Sequence, residues 1–154
     1  MKCTCVYNNK NEWGPILWNV LHNVLILLKS VNDVNKVVTF IEGFHNVLPC
    51  YQCQMHCKNY LEQNKIILTN RTDLMKTKNE LMLYMYKFHN YVNEKNNKTR
   101  HVNFQLFLTT PLPVINYINL NKIFQNQQNI NFYNGLSPTA KNYNNNFIST
   151  IKSL

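Results

Sequence analysis

The amino-acid sequence predicts an all-α protein, and three features indicate this class. Glycine is scarce, with three in 154 residues, which argues against a loop-rich β fold. Apolar residues between 34 and 47 recur at the i, i+3, i+4, i+7 spacing of an amphipathic helix. Pro15 and Pro49 stand where an opening helical turn tolerates proline. With a hydrophobic content of 45%, a chain of this length can build one helical domain.

Three helices are predicted in the first part of the chain. The first covers residues 13–28, and Pro15 suits its opening turn because the missing N–H would have no helical partner there. The second covers 31–48 and carries the apolar stripe. Pro49 ends it and is well placed to begin a third helix at 50–63.

A fourth helix follows the polar link 69–73 and ends in the polar stretch 93–98, and a short fifth helix is predicted around 102–108. The buried face of the fourth helix is marked by Leu74, Leu81, Met85, Phe88 and Val92. The organised unit is therefore a helical bundle over 13–108.

The two ends of the chain read differently. Residues 1–12 are polar and are interpreted as a flexible arm that carries a C-x-C pair. Residues 109–154 are rich in Asn and Gln, and we predict a weakly ordered tail there.

Composition also excludes several classes of protein. The formal charge of +9 suggests nucleic acid, but the basic residues form no run or stripe, so we expect no nucleic-acid partner. No secretory signal is visible, and no apolar run is long enough to span a bilayer. The positions of Gly14, Gly43 and Gly135 rule out a glycine-rich phosphate loop, so any nucleotide must be held in another way.

The segment LPCYQCQMHC, residues 48–57, raises the question of function. If the third helix begins at Pro49, Cys50 and Cys53 lie in its opening turns with Cα atoms about 5 Å apart, which a disulfide tolerates. Cys53 and Cys57 could just meet, whereas Cys50 and Cys57 are too far apart. A helix start also lowers cysteine pKa values and favours the thiolate that takes part in disulfide exchange.

Two other readings of these cysteines stay open at this point. Cys50 and Cys53 could join Cys3 and Cys5 in a tetrahedral zinc site, or recruit His56, which would make the chain a non-enzymatic interaction module. They could also be incidental thiols in a helical packing protein that has no site.

Two further clusters carry polar residues at helical spacing. Trp18 and His22 are four apart on the first helix and share a face. His89 and Asn93 are four apart on the fourth helix, with Asn90 beside them. Such side chains are poor choices for a buried face unless each has a polar partner.

Taken in order, the clusters read W-G-P-x-x-W-x-x-L-H, P-C-x-x-C and H-N-x-V-N-x-x-x-x-K. This combination resembles the Erv/ALR family of flavin-dependent sulfhydryl oxidases, and its compact viral members most of all. The resemblance covers roughly residues 13–100.

The resemblance implies a bundle of four helices with a short fifth packed across it, usually a homodimer, with FAD in the mouth of the bundle. It assigns the catalytic role to Cys50 and Cys53. It assigns cofactor binding to Gly14, Trp18, His22, His89, Asn90, Asn93 and Lys98.

The resemblance further implies a reaction. A client dithiol, or a thioredoxin-like carrier, reduces the Cys50–Cys53 disulfide, most plausibly by attack at Cys50. The electrons pass to FAD and then to O₂, which gives H₂O₂. The virus-like sequence suggests work in the host cytoplasm, at virus factories or in the virion, or in the mitochondrial intermembrane space if the protein is cellular.

The remaining cysteines are given separate roles. Cys3 and Cys5 are candidates for a shuttle pair on the mobile arm, because family members often carry a second cysteine pair on a flexible segment. Cys57 is interpreted as a small buried packing residue.

Overall fold

The computed structural model describes residues 10–48, 50–99, 103–109, 115, 117, 118, 120, 146 and 148–154. Within these residues every regular element is a helix and there is no strand, which confirms the all-α prediction. The α-helices are α1 (Lys10–Leu27), α2 (Val34–Glu42), α3 (Tyr51–Gln63), α4 (Leu74–Lys95) and α5 (Phe104–Thr109).

Helix α1 begins earlier than predicted. It starts at Lys10, so Pro15 lies inside the helix and not in its opening turn. The apolar face of α1 is fully buried and supplies Leu17, Val20, Leu21, Val24 and Leu25 to the core. No helix among the described residues is long and apolar enough to cross a membrane.

The predicted second helix over 31–48 is wrong as a continuous element. A 3₁₀ turn at Val31–Asp33 precedes α2, and another at Phe44–Val47 follows it. The break falls at Gly43, whose N–H caps α2 by bonding to the carbonyls of Thr39 and Ile41. The apolar stripe is nevertheless buried as predicted, because the two 3₁₀ turns keep the chain on the same side of the core.

Side-chain caps fix where the next helices begin. Cys50 is the N-cap of α3, and its sulfur accepts a hydrogen bond from the N–H of Cys53. Asp73 is the N-cap of α4, and its carboxylate accepts a bond of 3.1 Å from the N–H of Lys76. Each cap satisfies a backbone donor that the helix itself cannot pair.

Helix α1 runs antiparallel to α4. Trp18 meets Phe88 edge-on, with ring centroids 5.3 Å apart. Near the other end of α1, Lys78 of α4 donates a bond of 2.9 Å to the carbonyl of Leu28. Later residues of α1 therefore contact earlier residues of α4, as antiparallel packing requires.

Helix α3 also runs antiparallel to α4. Tyr60 stacks on Phe88 with ring centroids 4.8 Å apart. Later on α3, the carbonyl of Asn64 accepts a bond of 2.6 Å from the hydroxyl of Tyr84, which lies earlier on α4. Consequently α1 and α3 both begin, and α4 ends, at one end of the bundle. We call this the cysteine end.

Parts of the segment predicted to be weakly ordered pack on the bundle. Leu120 and Ile151 are both buried, with 0% and 2% of their surfaces exposed. Lys36 of α2 donates a bond of 3.2 Å to the hydroxyl of Ser153. These contacts show that the chain after α5 contributes to the core. The domain boundaries at residues 12 and 108 stay predictions.

Candidate redox and cofactor site

The start of α3 presents the C-x-x-C pair. Cys50 has an extended backbone, and the N–H of Cys53 donates to its sulfur at 3.3 Å. The side-chain amide of Gln54 donates a bond of 2.7 Å to the carbonyl of Leu48, which fixes the entry of the chain into the helix. Cys50 is fully buried and Cys53 is half-buried. The two cysteines are therefore held within reach of each other at a helix N-terminus.

The described cysteines differ in their covalent state. Cys50 is disulfide-bonded in this structure. Cys53 and Cys57 carry thiols, so the predicted Cys50–Cys53 bond is not closed here. The predicted shuttle pair, Cys3 and Cys5, lies outside the described residues.

Cys57 behaves as the packing residue that the sequence predicts. Its side chain is buried, with 5% of its surface exposed. Burial raises the pKa of its thiol, and the nearby Cys53 raises it further. Because the thiolate is the reactive form, Cys57 is held in its inert state.

An aromatic cluster joins the middle of α1 to the second half of α4. The rings of Trp18 and His89 are stacked, with centroids 3.9 Å apart and planes 12° apart. His22 and His89 approach through ring nitrogens 3.3 Å apart. Three of the residues predicted from separate motifs thus form one group, across a sequence separation of 67 between the histidines.

The amides of α4 lie next to this cluster along the chain. Asn90 and Asn93 are buried, with 2% and 8% of their surfaces exposed. His22 is buried as well, with 6% exposed. Polar side chains are rarely placed inside a bundle unless they meet polar partners. His22 meets such a partner in His89, and Asn90 has an interaction partner as well.

Two further predicted residues occupy the edges of the site. Lys98 is exposed, and its backbone N–H donates a bond of 2.7 Å to the carbonyl of Asn93 just beyond the end of α4. Gly14 borders open space, because a Cβ built on it would meet no atom within 4 Å. Neither residue belongs to the aromatic cluster.

Helix geometry relates the cysteines to the cluster. Cys53 precedes Tyr60 by seven residues, which places both on the same face of α3, about 10 Å apart along the axis. Tyr60 packs on Phe88, so the antiparallel arrangement puts Cys53 about level with Lys95, at the end of α4. The stacked rings of Trp18 and His89 therefore lie about 10 Å from Cys53 along the bundle axis.

The sequence analysis missed Phe107 of α5. Its ring meets His22 edge-on with centroids 4.8 Å apart, and it lies 6.4 Å from the ring of His89. Tyr86, also unassigned, packs against Phe107 at 5.4 Å. The sequence did carry a signal for this contact, because Phe104 and Phe107 are three residues apart and share one face of the short predicted helix.

The zinc alternative receives no support from the described residues. They contain no group of three or more His, Cys, Asp or Glu that could hold a metal ion. Cys50 is disulfide-bonded, and a disulfide sulfur is not the thiolate that zinc requires.

Comparisons with known proteins identify the family of this chain. A model of the Erv1/Alr family matches residues 15–109. FAD-linked sulfhydryl oxidases of two African swine fever virus isolates are 30% identical over 90 residues, which covers 56% of this chain and 70% of each viral protein. A related protein of Invertebrate iridescent virus 3 is 33% identical over 95 residues, covering 56% of this chain and 57% of the viral protein. No solved structure gives a significant match. Since the family model covers more than half of the sequence, the chain belongs to the Erv1/Alr family.

Proposed function

We propose that the chain is an FAD-linked thiol oxidase, which makes disulfide bonds in client proteins. The observation that carries this proposal is that α1 and α4 bring Trp18, His22 and His89 into one cluster, about 10 Å along the bundle axis from the C-x-x-C helix start. Family membership and the names of the viral relatives support the same activity.

The cysteine pair is suited to dithiol exchange. A client thiolate attacks the Cys50 sulfur of a Cys50–Cys53 disulfide, and Cys53 leaves as a thiolate. A second client thiol then displaces Cys50, which leaves the client oxidised and both cysteines reduced. The helix N-terminus favours the Cys53 thiolate, because unpaired N–H groups and the helix dipole stabilise negative charge there.

The residues present fit FAD. The buried side chains of His22, Asn90 and Asn93 give the proposed site a polar lining, and the indole of Trp18 gives it an aromatic surface. The indole N–H of Trp13, near the start of α1, is buried without a partner among the described residues. Open space beside Gly14 would admit a ligand close to the backbone. We assign the contact with the cofactor phosphates to Lys98, which is exposed. FAD, when bound, supplies the chemistry that accepts an electron pair and delivers it to O₂, which yields H₂O₂.

The wider setting follows from the same proposal. The substrates are protein dithiols or a thioredoxin-like carrier, and the active form is a homodimer. Cys3 and Cys5 serve as a shuttle pair between client and core. Because the relatives reported above are viral, the site of action is the host cytoplasm or the virion.

Oxygen uptake tests the proposal. The purified chain is expected to be yellow and to consume oxygen when dithiothreitol is added. Cys53→Ser should abolish uptake and keep the bound flavin, whereas Cys57→Ser, one turn further along α3, should retain most of the activity. A colourless protein, or uptake that survives Cys53→Ser, would contradict the assignment.

A further inference from the structure

Among the described side chains of α5, Phe107 packs against the rings of both histidines. Its ring stands edge-on to His22, with planes 73° apart, and edge-on to His89, with planes 75° apart. It also packs against Tyr86. One residue from α5 thus contacts the part of the site contributed by α1 and the part contributed by α4.

The cluster leaves few places where a cofactor ring could lie. Trp18 and His89 are already in face-to-face contact at 3.9 Å, which is a normal van der Waals separation, so no third ring fits between them. A cofactor ring must use the remaining faces and edges of the cluster. Phe107 packs edge-on against both histidines, so a ring bound on that side of the cluster would meet it.

Two aromatic side chains pack helix α5 against α4. It has six residues, far fewer than an isolated helix needs to be stable in water. The side chain of Asn103 caps it by accepting bonds from the N–H groups of Gln105 and Leu106. Phe104 and Phe107 both pack on Tyr86, whereas Leu106 is 65% exposed. Any ligand that contacts Phe107 will thus stabilise the docked helix, and the docked helix will stabilise the ligand to the same extent.

We propose that Phe107 is a positioning residue of the cofactor site, which holds the His22 and His89 rings from α5 and retains the bound flavin. This inference rests on the proposed function, because it takes the ligand of the cluster to be FAD. Phe107 takes no part in electron transfer. Its role is to fix the two imidazoles and to limit escape of the cofactor.

The test is flavin binding by variants of the full chain, measured by fluorescence titration of the flavin-free protein with FAD. Phe107→Ala is expected to weaken binding about tenfold, since edge-on aromatic contacts are lost on both histidines. Phe107→Tyr should bind within about twofold of wild type, because the ring is kept. Phe107→Leu should fall between them. Leu106→Ala is the matched control on the same helix and should bind as wild type does.

A second measurement separates positioning from general stability. In the flavin-free protein, Phe107→Ala should shift the imidazole NMR signals of His22 and His89 and leave that of His45 unchanged. Binding by Phe107→Ala within twofold of wild type, or an equal loss in Leu106→Ala, would overturn the inference. If wild type itself binds no FAD, the proposed function fails; if only the variant pattern is wrong, the role of Phe107 alone fails.

Discussion

Replacing Gly14 by alanine should change protein stability and flavin binding in opposite directions. Gly14 lies inside α1, and a Cβ at this position meets no atom within 4 Å. Alanine is more favourable than glycine inside a helix by about 0.5–1 kcal/mol. The ring of Pro15 crowds the Cβ of the preceding residue and offsets part of this gain. The free energy of unfolding of the flavin-free protein should therefore rise by between zero and about 1 kcal/mol.

Flavin binding should respond the other way. The open space beside Gly14 is where the proposed cofactor approaches the backbone of α1, so a methyl group there competes with it. We expect affinity for FAD to fall about tenfold, which corresponds to about 1.4 kcal/mol. Urea unfolding measures the first effect, and fluorescence titration with FAD measures the second.

A control on the same helix completes the design. Ile26 is 50% exposed near the far end of α1, so Ile26→Ala should leave FAD affinity unchanged. Unchanged affinity in Gly14→Ala would show that the cofactor does not approach this position. A loss of more than about 1 kcal/mol in unfolding free energy would show that the space is not open.

Three further predictions concern the rest of the bundle. In the reduced, folded protein, Cys57 should react with iodoacetamide at least about tenfold more slowly than Cys53, because burial raises its thiol pKa; equal rates in peptide mapping would contradict this. Burial lowers the pKa of His45 below its ordinary value of 6.5, so the unfolded chain takes up the proton first and stability should fall as pH drops below that value. Urea unfolding between pH 8 and pH 5 should show a shallower decline for His45→Asn, and identical slopes would refute the linkage. Trp13→Phe removes a buried, unpartnered indole N–H, so its cost in flavin-free protein should stay within about 1 kcal/mol, against about 3–5 kcal/mol for Trp13→Ala; equal costs would argue against this reasoning.

Periodicity predicted the helices that pack by regular apolar stripes. The buried positions Leu81, Met85 and Phe88 of α4 lie on the predicted face. The break at Gly43 was missed because the apolar spacing continues across it, and only the backbone shows that the chain changes from α to 3₁₀ geometry. Helix α1 was predicted to start too late because Pro15 was taken as an opening-turn residue.

Residues of the candidate site that belong to a motif were predicted from the sequence, whereas a residue outside any motif was not. Trp18, His22 and His89 were identified through the resemblance of their motifs, in order, to the Erv/ALR family, and the structure brings them into contact. Phe107 was missed because its partners are distant in sequence. Burial of Leu120 was missed because Asn-rich composition says little about which of the scattered apolar residues dock.

The most direct test of the account is the colour of the purified protein without oxygen. The proposed relay requires electrons to reach the flavin through Cys50 and Cys53. On anaerobic addition of dithiothreitol, the yellow absorbance of wild type should fade and should return when air is admitted. Cys53→Ser should bind flavin equally well and stay yellow under the same conditions. If this variant faded as fast as wild type, the cysteine pair would not be the route to the flavin, and the central claim would be wrong.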